Sequence, residues 1–428
     1  MRVFKFGGAS VKDADAVRNV GKVMELYPNQ EIVVVVSAMG KTTNALEKIT
    51  REYMYGEGDL ATSVQELKDY HNNILIDLFP DQGHDVYNEV NNVMVELEWI
   101  IEDDPIKDYD FEYDQIVSLG EMISTRIVSA WLMESGVENT WMDVRDLIKT
   151  DDTYREAAVE WEATASAITE KLNPIMNGNG PSVVITQGFV GVTSENYNTT
   201  LGREGSDYTA SILGSVLGAE DVTIWKDVPG VLNADPKWFE NTEKLAAISY
   251  HDAIELAFFG ATVIHPKTLK PLQNNAIALY VKSFFDPEME GTLITGVKKL
   301  PKDLKVVPSF IFKVDQVLIS ILPRDYSFIV EENLSDIFKL FAQGAVKINL
   351  MQHAALSFSV CVDEDGGKIP DLVQALQKDY KVLYNKDVEL VTIRDYDQAT
   401  IDRVISGKKI YVEQKSRHTA RYVVKDVG

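Results

Sequence analysis

Residues 199–207 read Thr-Thr-Leu-Gly-Arg-Glu-Gly-Ser-Asp and bring an arginine, hydroxyls, a carboxylate and two glycines together. Residues 182–186 before them predict a buried strand, and residues 208–217 after them predict an apolar helix. Glycine lets the backbone approach a ligand closely, and an arginine binds a carboxylate through two parallel hydrogen bonds. Asp207 would then cap the helix or face an ammonium group. The segment therefore predicts a binding site for a small zwitterion.

The amino terminus carries a second set of residues that could do chemistry. Residues 1–6 alternate as a strand does and run directly into Gly7 and Gly8. A strand, a glycine turn and a helix form a phosphate-binding arrangement, because the free N–H groups at the start of a helix favour an anion. Lys5 lies just before the glycines, where its ammonium group would reach a transferring phosphoryl group. A plain turn is the alternative for a strand that ends in two glycines.

With these two segments, the chain resembles the aspartate kinases of the amino-acid kinase superfamily. The family's opening Lys-Phe-Gly-Gly-Thr-Ser is matched by residues 5–10, with Ala9 in place of the threonine. Its arginine loop is matched by residues 199–207, with Glu204 where glycine is usual. Further matches are Ser-Ala-Met-Gly at residues 37–40, Ser-Leu-Gly-Glu at residues 118–121, Trp-Lys-Asp-Val-Pro-Gly-Val at residues 225–231, Ala-Asp-Pro at residues 234–236 and Phe-Gly-Ala-Thr-Val-Ile-His-Pro at residues 259–266. The resemblance covers most of residues 1–300 in the family's order.

The apolar pattern predicts an α/β fold for the larger part of the chain. Strand and helix alternate to about residue 297, which predicts a mostly parallel sheet sandwiched by helices. The resemblance identifies this arrangement as the amino-acid kinase fold and residues 1–300 as the catalytic domain. Helical spacing over about residues 59–110 predicts a helical insert, and the acidic residues near its end predict a solvated face.

The order of elements changes after residue 300. It becomes strand-helix-strand-strand-helix-strand, with the first strand at residues 316–322 and the last at residues 388–394, which predicts a smaller ferredoxin-like α+β region. In this position the region resembles an ACT module, so residues 301–428 are expected to be an ACT-like regulatory region. Residues 395–428 predict only one helix and two strands, so the second module is expected to be truncated and to complete its sheet with a partner chain. ACT-like modules usually pair across a subunit interface, so a homodimer or higher homo-oligomer is expected.

The resemblance implies transfer of the γ-phosphoryl group of ATP to the side-chain carboxylate of L-aspartate, which forms 4-phospho-L-aspartate. This reaction is the first step toward lysine, threonine and methionine. A carboxylate with a pKa near ~4 is ionised at pH 7 and requires no general base. Positioning of the reactants and neutralisation of the phosphoryl charge can therefore supply the catalysis. Mg²⁺ is expected to enter through the ATP phosphates, and no metal site on the protein is predicted.

The resemblance also implies residue roles. Lys5, Arg203 and Asp207 are the expected catalytic residues: Lys5 stabilises the phosphoryl group, Arg203 binds the α-carboxylate, and Asp207 faces the ammonium group or orients Lys5. Ser37 and Glu121 have helix capping as their alternative role. The expected substrate-binding residues are Ser37, Thr43, Glu121, Arg203, Ser206 and Asp207. The expected nucleotide-binding residues are Lys5, Gly7, Gly8, Lys226, Asp227, Leu232, Asp235, Lys237 and Val263.

Two residues depart from the family in the nucleotide-binding segments. Thr262 stands where a nucleotide-binding lysine is usual, and Lys226 stands where threonine is frequent. Our hypothesis is that Lys226 supplies the phosphate charge that Thr262 cannot. His265 precedes a proline in a turn, which predicts capping rather than catalysis.

The composition limits the classes of partner. A formal net charge of −24 over 428 residues argues against binding to nucleic acid and to anionic membranes. The single cysteine, Cys361, excludes an internal disulfide and suits a reducing compartment. The sequence has no signal-peptide pattern and no aliphatic run that could span a bilayer, so a cytoplasmic location is expected.

Two other functions stay open at the level of the sequence. Another amino-acid kinase, acting on glutamate or on a nucleotide, would keep many of these motifs. A catalytically weakened amino-acid-binding regulator is supported by Ala9, Glu204 and Thr262, because a carboxylate beside the arginine would weaken anion binding. L-Aspartate and ATP are the expected ligands, and lysine or threonine is the effector that the ACT-like region suggests.

Overall fold

The chain folds into two units, and the computed structural model describes residues 1–176, 178, 182–239, 241–261, 264–325 and 327–427. The first unit comprises Met1–Val231, Lys244–Ile254 and Val263–Leu304. The second unit comprises Leu232–Glu243, Glu255–Thr262 and Lys305–Gly428. Each unit has its own sheet.

Aliphatic strands form the centre of the first unit. The strands of residues 1–304 are β1 (Arg2–Phe6), β2 (Ile32–Val36), β3 (Thr140–Met142), β4 (Val183–Gln187), β5 (Val190–Val192), β6 (Asn198–Thr200), β7 (Asp221–Lys226), β8 (Ala247–Ser249), β9 (Ala278–Ser283) and β10 (Thr292–Thr295). Eight of these strands form one sheet in the order β3-β4-β2-β1-β7-β9-β10-β8, and β5 and β6 form a separate hairpin. Neighbours in the sheet are parallel, except that β9 and β10 are antiparallel. The predicted mostly parallel sheet is therefore confirmed.

Helices cover both faces of this sheet. The helices of residues 1–304 are α1 (Ala14–Glu25), α2 (Thr42–Tyr55), α3 (Leu60–Leu78), α4 (Asp85–Glu102), α5 (Tyr109–Val117), α6 (Leu119–Glu134), α7 (Trp161–Met176), α8 (Gly205–Leu217), α9 (Tyr250–Phe259) and α10 (Pro266–Asn274). Phe4, Phe6 and Ile185 on one face share a core with residues of α1, α2 and α6. Val3 and Val222 point to the opposite face, where they lie beside α8. Burial on both faces is typical of parallel strands with near-continuous aliphatic runs.

The predicted helical insert corresponds to α3 and α4. Apolar positions at helical spacing in these two helices are buried: Leu67, Ile74, Leu75, Leu78, Val90, Val93, Met94 and Leu97. Glu98, Glu102, Asp103 and Asp104 are exposed, as expected of a solvated face. Within the described ranges, no group of three or more His, Cys, Asp or Glu side chains is arranged to hold a metal ion.

One helical stretch, Tyr109–Glu134, is long and apolar enough to cross a membrane by length and composition alone. It spans α5 and α6, and 78% of its most apolar window is buried inside the protein. Ile116, Ile123 and Ile127 belong to the core of the first unit. Packing in this core accounts for the apolar character of the stretch.

The second unit contains an antiparallel sheet with helices. Its elements are β11 (Ser309–Pro323), α11 (Glu331–Gln343), β12 (Ile348–Ala354), β13 (Ser357–Asp363), α12 (Lys368–Leu376), β14 (Tyr380–Arg394), α13 (Gln398–Ile405), β15 (Lys408–Lys415) and β16 (Thr419–Asp426). Elements β11 to β14 follow the predicted β-α-β-β-α-β order of a ferredoxin-like unit. The side chains of α11 and α12 form a core with those of β11, β13 and β14.

Strands β11 and β14 are each 15 residues long, about twice the length that the sequence predicts. The predicted strands at residues 316–322 and 388–394 cover only half of each. Asp315 and Asp387 have left-handed φ values of 52° and 53°, and the pairing register shifts between Lys313 and Gln316. A bulge of this kind interrupts the alternation of apolar and polar residues, so the sequence pattern predicts a strand shorter than the one that forms.

The last residues of the chain extend the same sheet. Strand β16 pairs with residues 389–394 of β14, and residues 390–394 pair in turn with residues 309–313 of β11. The described sheet therefore runs in the order β12-β13-β11-β14-β16-β15 within a single chain, with β12 and β15 at its edges. The boundary at residue 300, the truncation of a second module and its completion by a partner stay predictions.

Candidate active site

Neighbouring parallel strands place three predicted residues at one edge of the first sheet. Lys5 lies in β1, Ser37 follows β2, and Lys226 ends β7. These residues line a cleft of about 760 Å³. The predicted residues that line it are Lys5, Ser37, Thr43, Glu121, Arg203, Ser206, Asp207 and Lys226. The structure thus brings all of the predicted substrate-binding residues together with Lys226.

A buried ion cluster lies at the base of the cleft. Because side chains alternate along a strand, Lys5 and Lys226 point to the face that α8 covers. Asp207, in the first turn of α8, has its Oδ1 atom 2.6 Å from Nζ of Lys5 and its Oδ2 atom 3.5 Å from Nζ of Lys226. Burial alone would raise the pKa of Asp207, but the two ammonium groups lower it below its ordinary value. The cluster therefore holds two positive charges and one negative charge.

The cluster also decides the role of Asp207 in its helix. Glu204 is the N-cap residue of α8, and it makes no side-chain capping bond. Asp207 lies inside the helix and directs its carboxylate to the lysines. The alternative in which Asp207 caps α8 is wrong, and the one in which it orients Lys5 agrees with the geometry.

Glu121 is a second buried carboxyl group of the cleft. It lies in the first turn of α6, and its Oε1 atom accepts a hydrogen bond of 3.1 Å from the N–H of Ala38. Burial raises the pKa of Glu121 to about 8, although this hydrogen bond and the nearby charge of Lys5 oppose the rise. Its Oε2 atom has no hydrogen-bond partner among the described residues. An unpartnered buried acceptor beside a cleft is suited to an ammonium group.

The loop that carries Arg203 has an unusual backbone. Glu204 has a left-handed φ of 53°, a conformation that glycine adopts without strain. Its Oε2 atom accepts a hydrogen bond of 2.8 Å from the N–H of His265. The carboxylate of Glu204 is thus engaged by backbone at the start of α10, and no ion pair joins it to Arg203 in the described part of the chain. His265 caps α10 by accepting from the N–H of Lys267 at 3.2 Å, as predicted.

The two glycines after β1 allow a close approach of backbone segments. A Cβ atom at Gly8 would lie 2.8 Å from the carbonyl oxygen of Ala38 and 3.0 Å from that of Gly40. The N–H of Gly40 donates to the carbonyl of Gly8 at 3.0 Å. The predicted order of strand, glycine turn and helix is present: a 3-10 turn (Gly8–Val11) follows β1, and α1 begins at Ala14.

The other predicted nucleotide-binding residues lie outside the cleft lining. Asp227 is exposed just after β7. Leu232, Asp235 and Lys237 belong to the segment Leu232–Glu243 of the second unit. The N–H of Lys237 donates to Oδ1 of Asp235 at 2.9 Å, which is a local turn. Val263, like Thr262, lies outside the described residues.

The sequence interpretation missed one wall of the cleft. The lining residues outside the segments that it named are Asp110, Tyr113, Thr153, Tyr154, Arg155, Glu156 and Phe189. Arg155 has a left-handed φ of 67° and its Nη1 atom lies 3.2 Å from Oδ1 of Asp110. Its guanidinium also lies 4.5 Å from the ring centroid of Tyr113. The alternating aromatic residues 109, 111 and 113 in a helix were the available signal, because such spacing is unusual for a simple amphipathic helix.

The comparisons with known proteins agree with this fold. Residues 1–283 match the model of the amino acid kinase family, and the chain belongs to that family. It is 31% identical over 369 residues to aspartokinase 1, chloroplastic, of Arabidopsis thaliana, covering 84% of this chain and 63% of that relative. It is 29% identical over 392 residues to lysine-sensitive aspartokinase 3 of Escherichia coli (strain K12), covering 90% of this chain and 84% of that relative. The structure of E. coli aspartokinase III in complex with aspartate and ADP is similar, with a TM-score of 0.79, 27% identity, and coverage of 99% of this chain and 96% of that one.

The Gly8→Ala variant tests the packing of the glycine turn. The added methyl group would meet two backbone carbonyl oxygens, so we expect a loss of about 1–3 kcal/mol of stability and a lower Tm. Thermal unfolding followed by calorimetry measures the change. Gly296→Ala is the matched control, since nothing lies within 4 Å of its added Cβ. Equal Tm values for the two variants would contradict the close approach.

Proposed function

We propose that this chain is an ATP-dependent aspartate kinase that forms 4-phospho-L-aspartate, the first step toward lysine, threonine and methionine. The observation that carries the proposal is the Lys5–Asp207–Lys226 cluster, which shares one cleft with the Arg203 loop. The E. coli relative was solved with aspartate and ADP. Its similarity over nearly the whole of both chains supports the same pair of ligand classes here.

The proposed chemistry is attack by a side-chain carboxylate oxygen of aspartate on the γ-phosphorus of ATP. The bond from that phosphorus to the bridging oxygen breaks, and ADP leaves with the electron pair. The attacking carboxylate is already ionised at neutral pH, so no base is needed. This agrees with a described cleft lining that includes no histidine. Catalysis then rests on placing the reactants and stabilising the phosphoryl charge.

Lys5 is the residue proposed to stabilise the transferring phosphoryl group. Its ammonium group is nearly buried, with 10% of the side chain exposed, and it is held by Asp207. Fixed charge in a largely desolvated position is worth more than the same charge in water. Lys226 adds a second ammonium on the neighbouring strand, which supports the hypothesis that it supplies phosphate charge in place of Thr262.

The substrate roles follow from charge and from position in the cleft. Arg203 is proposed to bind the α-carboxylate of aspartate, and Glu121 to accept from its ammonium group. Hydroxyl donors surround the same space and are proposed to orient the substrate: Ser37, Thr43 and Ser206. Asp207 faces the two lysines in the described structure, so its proposed contact with the substrate ammonium is secondary to its pairing role.

The nucleotide roles of the remaining residues stay proposals. Gly7 and Gly8 are proposed to let the backbone approach the phosphates. Asp227, Leu232, Asp235, Lys237 and Val263 are proposed from the family resemblance alone. Mg²⁺ is proposed to arrive with ATP and to neutralise charge on its phosphates.

The proposed partners are small molecules and a second copy of the chain. The E. coli relative is described as lysine-sensitive, so lysine is one proposed effector, and threonine is the other. The β-α-β-β-α-β part of the second unit is proposed to be the regulatory region. A cytoplasmic homodimer or higher homo-oligomer that binds neither nucleic acid nor membrane completes the proposal.

A phosphorylation assay tests the proposed function directly. Hydroxylamine traps an acyl phosphate, and coupled detection of ADP reports phosphorylation of any acceptor, so both readouts are used with ATP and with L-aspartate, L-glutamate or UMP in separate reactions. We expect product with L-aspartate, a kcat lower by about 10²–10³-fold in Lys5→Ala, and a KM for aspartate higher by about 10–100-fold in Arg203→Ala. Lys22→Ala removes an exposed lysine outside the cleft and serves as the control. Turnover of glutamate or UMP alone would contradict the proposal.

The pH dependence of aspartate binding tests the role of Glu121. Its raised pKa leaves the carboxyl group mostly protonated below about pH 8, and only the ionised form attracts an ammonium group. The KM for L-aspartate should therefore fall as the pH rises from about 6.5 toward about 8, by at most ~tenfold per pH unit. Glu121→Gln should have a higher KM without this slope. The same slope in both proteins would rule out Glu121 as its source.

A further inference from the structure

Asp114 is a buried carboxylate next to the cleft that the proposed mechanism does not use. It lies in α5 and is 0% exposed. Its Oδ2 atom accepts from the N–H of Arg155 at 2.9 Å and from the N–H of Thr200 at 2.8 Å. Its Oδ1 atom accepts from the hydroxyl of Thr200 at 2.7 Å. One side chain thus holds two segments that lie 45 residues apart in the sequence.

Both of these segments are walls of the cleft. Thr200 ends β6 and begins the loop that carries Arg203. Arg155 belongs to the wall that the sequence interpretation missed. The N–H of Ala157 donates to the carbonyl of Thr200 at 3.0 Å, so the two walls also contact each other. Gly202, with a φ of 75°, has room for the carbonyl oxygen of Arg155, which would lie 3.2 Å from an added Cβ.

The backbone of Arg155 needs this support. A left-handed φ of 67° is unfavourable for a residue with a side chain, and such residues persist only where their surroundings hold them. Asp114 binds the N–H group of this residue, while Asp110 binds its guanidinium. Arg155 is therefore presented to the cleft by two aspartates of α5.

A buried carboxylate at this position lowers the stability of the folded protein, and a neutral amide would fit in its place. Burial raises the pKa of Asp114 to about 6, although its hydrogen bonds and the charge of Arg155 oppose the rise. Among the described residues, Tyr113 and Tyr154 interact electrostatically with Asp114, and Asp110 lies one turn before it in α5. An asparagine could accept from both N–H groups with its oxygen and donate to the hydroxyl of Thr200 with its nitrogen. The stability of the fold therefore does not by itself require a carboxylate at this position.

We propose that Asp114 is a positioning residue for the aspartate site. Its carboxylate holds the Arg155 segment and the Thr200 segment together, so that the guanidinium groups of Arg155 and Arg203 keep their places in the cleft. Hydrogen bonds to a charged acceptor are about twice as strong as neutral ones, which makes the carboxylate the stiffer clamp. This inference rests on the proposed function, because it assigns the two arginines to the recognition of aspartate.

The test compares Asp114→Asn and Asp114→Ala with the unaltered protein, using steady-state kinetics and thermal unfolding. We expect the KM for L-aspartate to rise about threefold in the Asn variant and at least about tenfold in the Ala variant, since the Asn variant keeps neutral hydrogen bonds. The KM for ATP should stay within about twofold in both. A purely structural residue would instead move both KM values together.

Thermal unfolding distinguishes a positioning role of Asp114 from a purely structural one. The unfolded chain ionises Asp114 at its ordinary pKa, so the folded state is penalised above about pH 6 and less so as the pH falls below it. The Asn variant should therefore have a higher Tm than the unaltered protein at about pH 7.5, with a smaller gain at about pH 5, while binding aspartate less well. A lower Tm together with an unchanged KM for aspartate overturns the proposal.

Asp221→Asn is the matched control. Asp221 is also a buried carboxylate whose pKa is raised by burial, but it lies at the start of β7, at the end away from Lys226, and pairs with Arg2 at 3.1 Å. The Asp221→Asn variant should have the same KM for L-aspartate as the unaltered protein. If the Ala variant does not fold, an unchanged aspartate KM in the Asn variant overturns the proposal. An unaltered protein that does not phosphorylate aspartate overturns the proposed function first, and this inference with it.

Discussion

The carboxylate of Asp207 lies between the ammonium groups of Lys5 and Lys226, and the architecture of the cleft depends on this contact. A carboxylate that is only 1% exposed is strongly unfavourable unless it is paired, and the removal of one partner leaves an uncompensated buried charge. The pairing leaves the base of the cleft with an excess of positive charge. The protein has a formal net charge of −24. This local excess of positive charge therefore favours the binding of two anionic ligands at this place in the cleft.

The sheet explains why the contact forms at this place. Strand β1 lies beside β7 in parallel register, with Phe6 opposite Trp225. These two rings stack with an interplanar angle of 5° on the face away from α8, and the lysines beside them point to the other face. Groups held on neighbouring strands are placed more accurately than groups on loops. The Arg203 loop, by contrast, is held by hydrogen bonds to other segments. The N–H of His265 donates to Glu204, and the N–H of Thr200 donates to Asp114.

The sequence could predict the parallel sheet and the charged residues of the site because both have local signals. Lys5 precedes a glycine pair, and Arg203 and Asp207 lie four residues apart in one short sequence segment. The wall around Arg155 could not be predicted in the same way. Its supports come from Asp114, which lies 41 residues away in the sequence, and from a left-handed backbone that favours glycine but carries an arginine. The full length of β11 could not be predicted either, because the bulge near Asp315 interrupts the alternation of apolar and polar residues by which a strand is recognised.

A structure of the protein with L-aspartate and a non-hydrolysable ATP analogue would show whether both ligands bind at the Lys5–Asp207–Lys226 cluster. We expect the side-chain carboxylate of aspartate to face the γ-phosphorus of the analogue beside Nζ of Lys5, with Asp207 still paired to that lysine and the α-carboxylate at Arg203. Binding of either ligand away from the Lys5–Asp207–Lys226 cluster, with the cluster left in contact with neither, would contradict it.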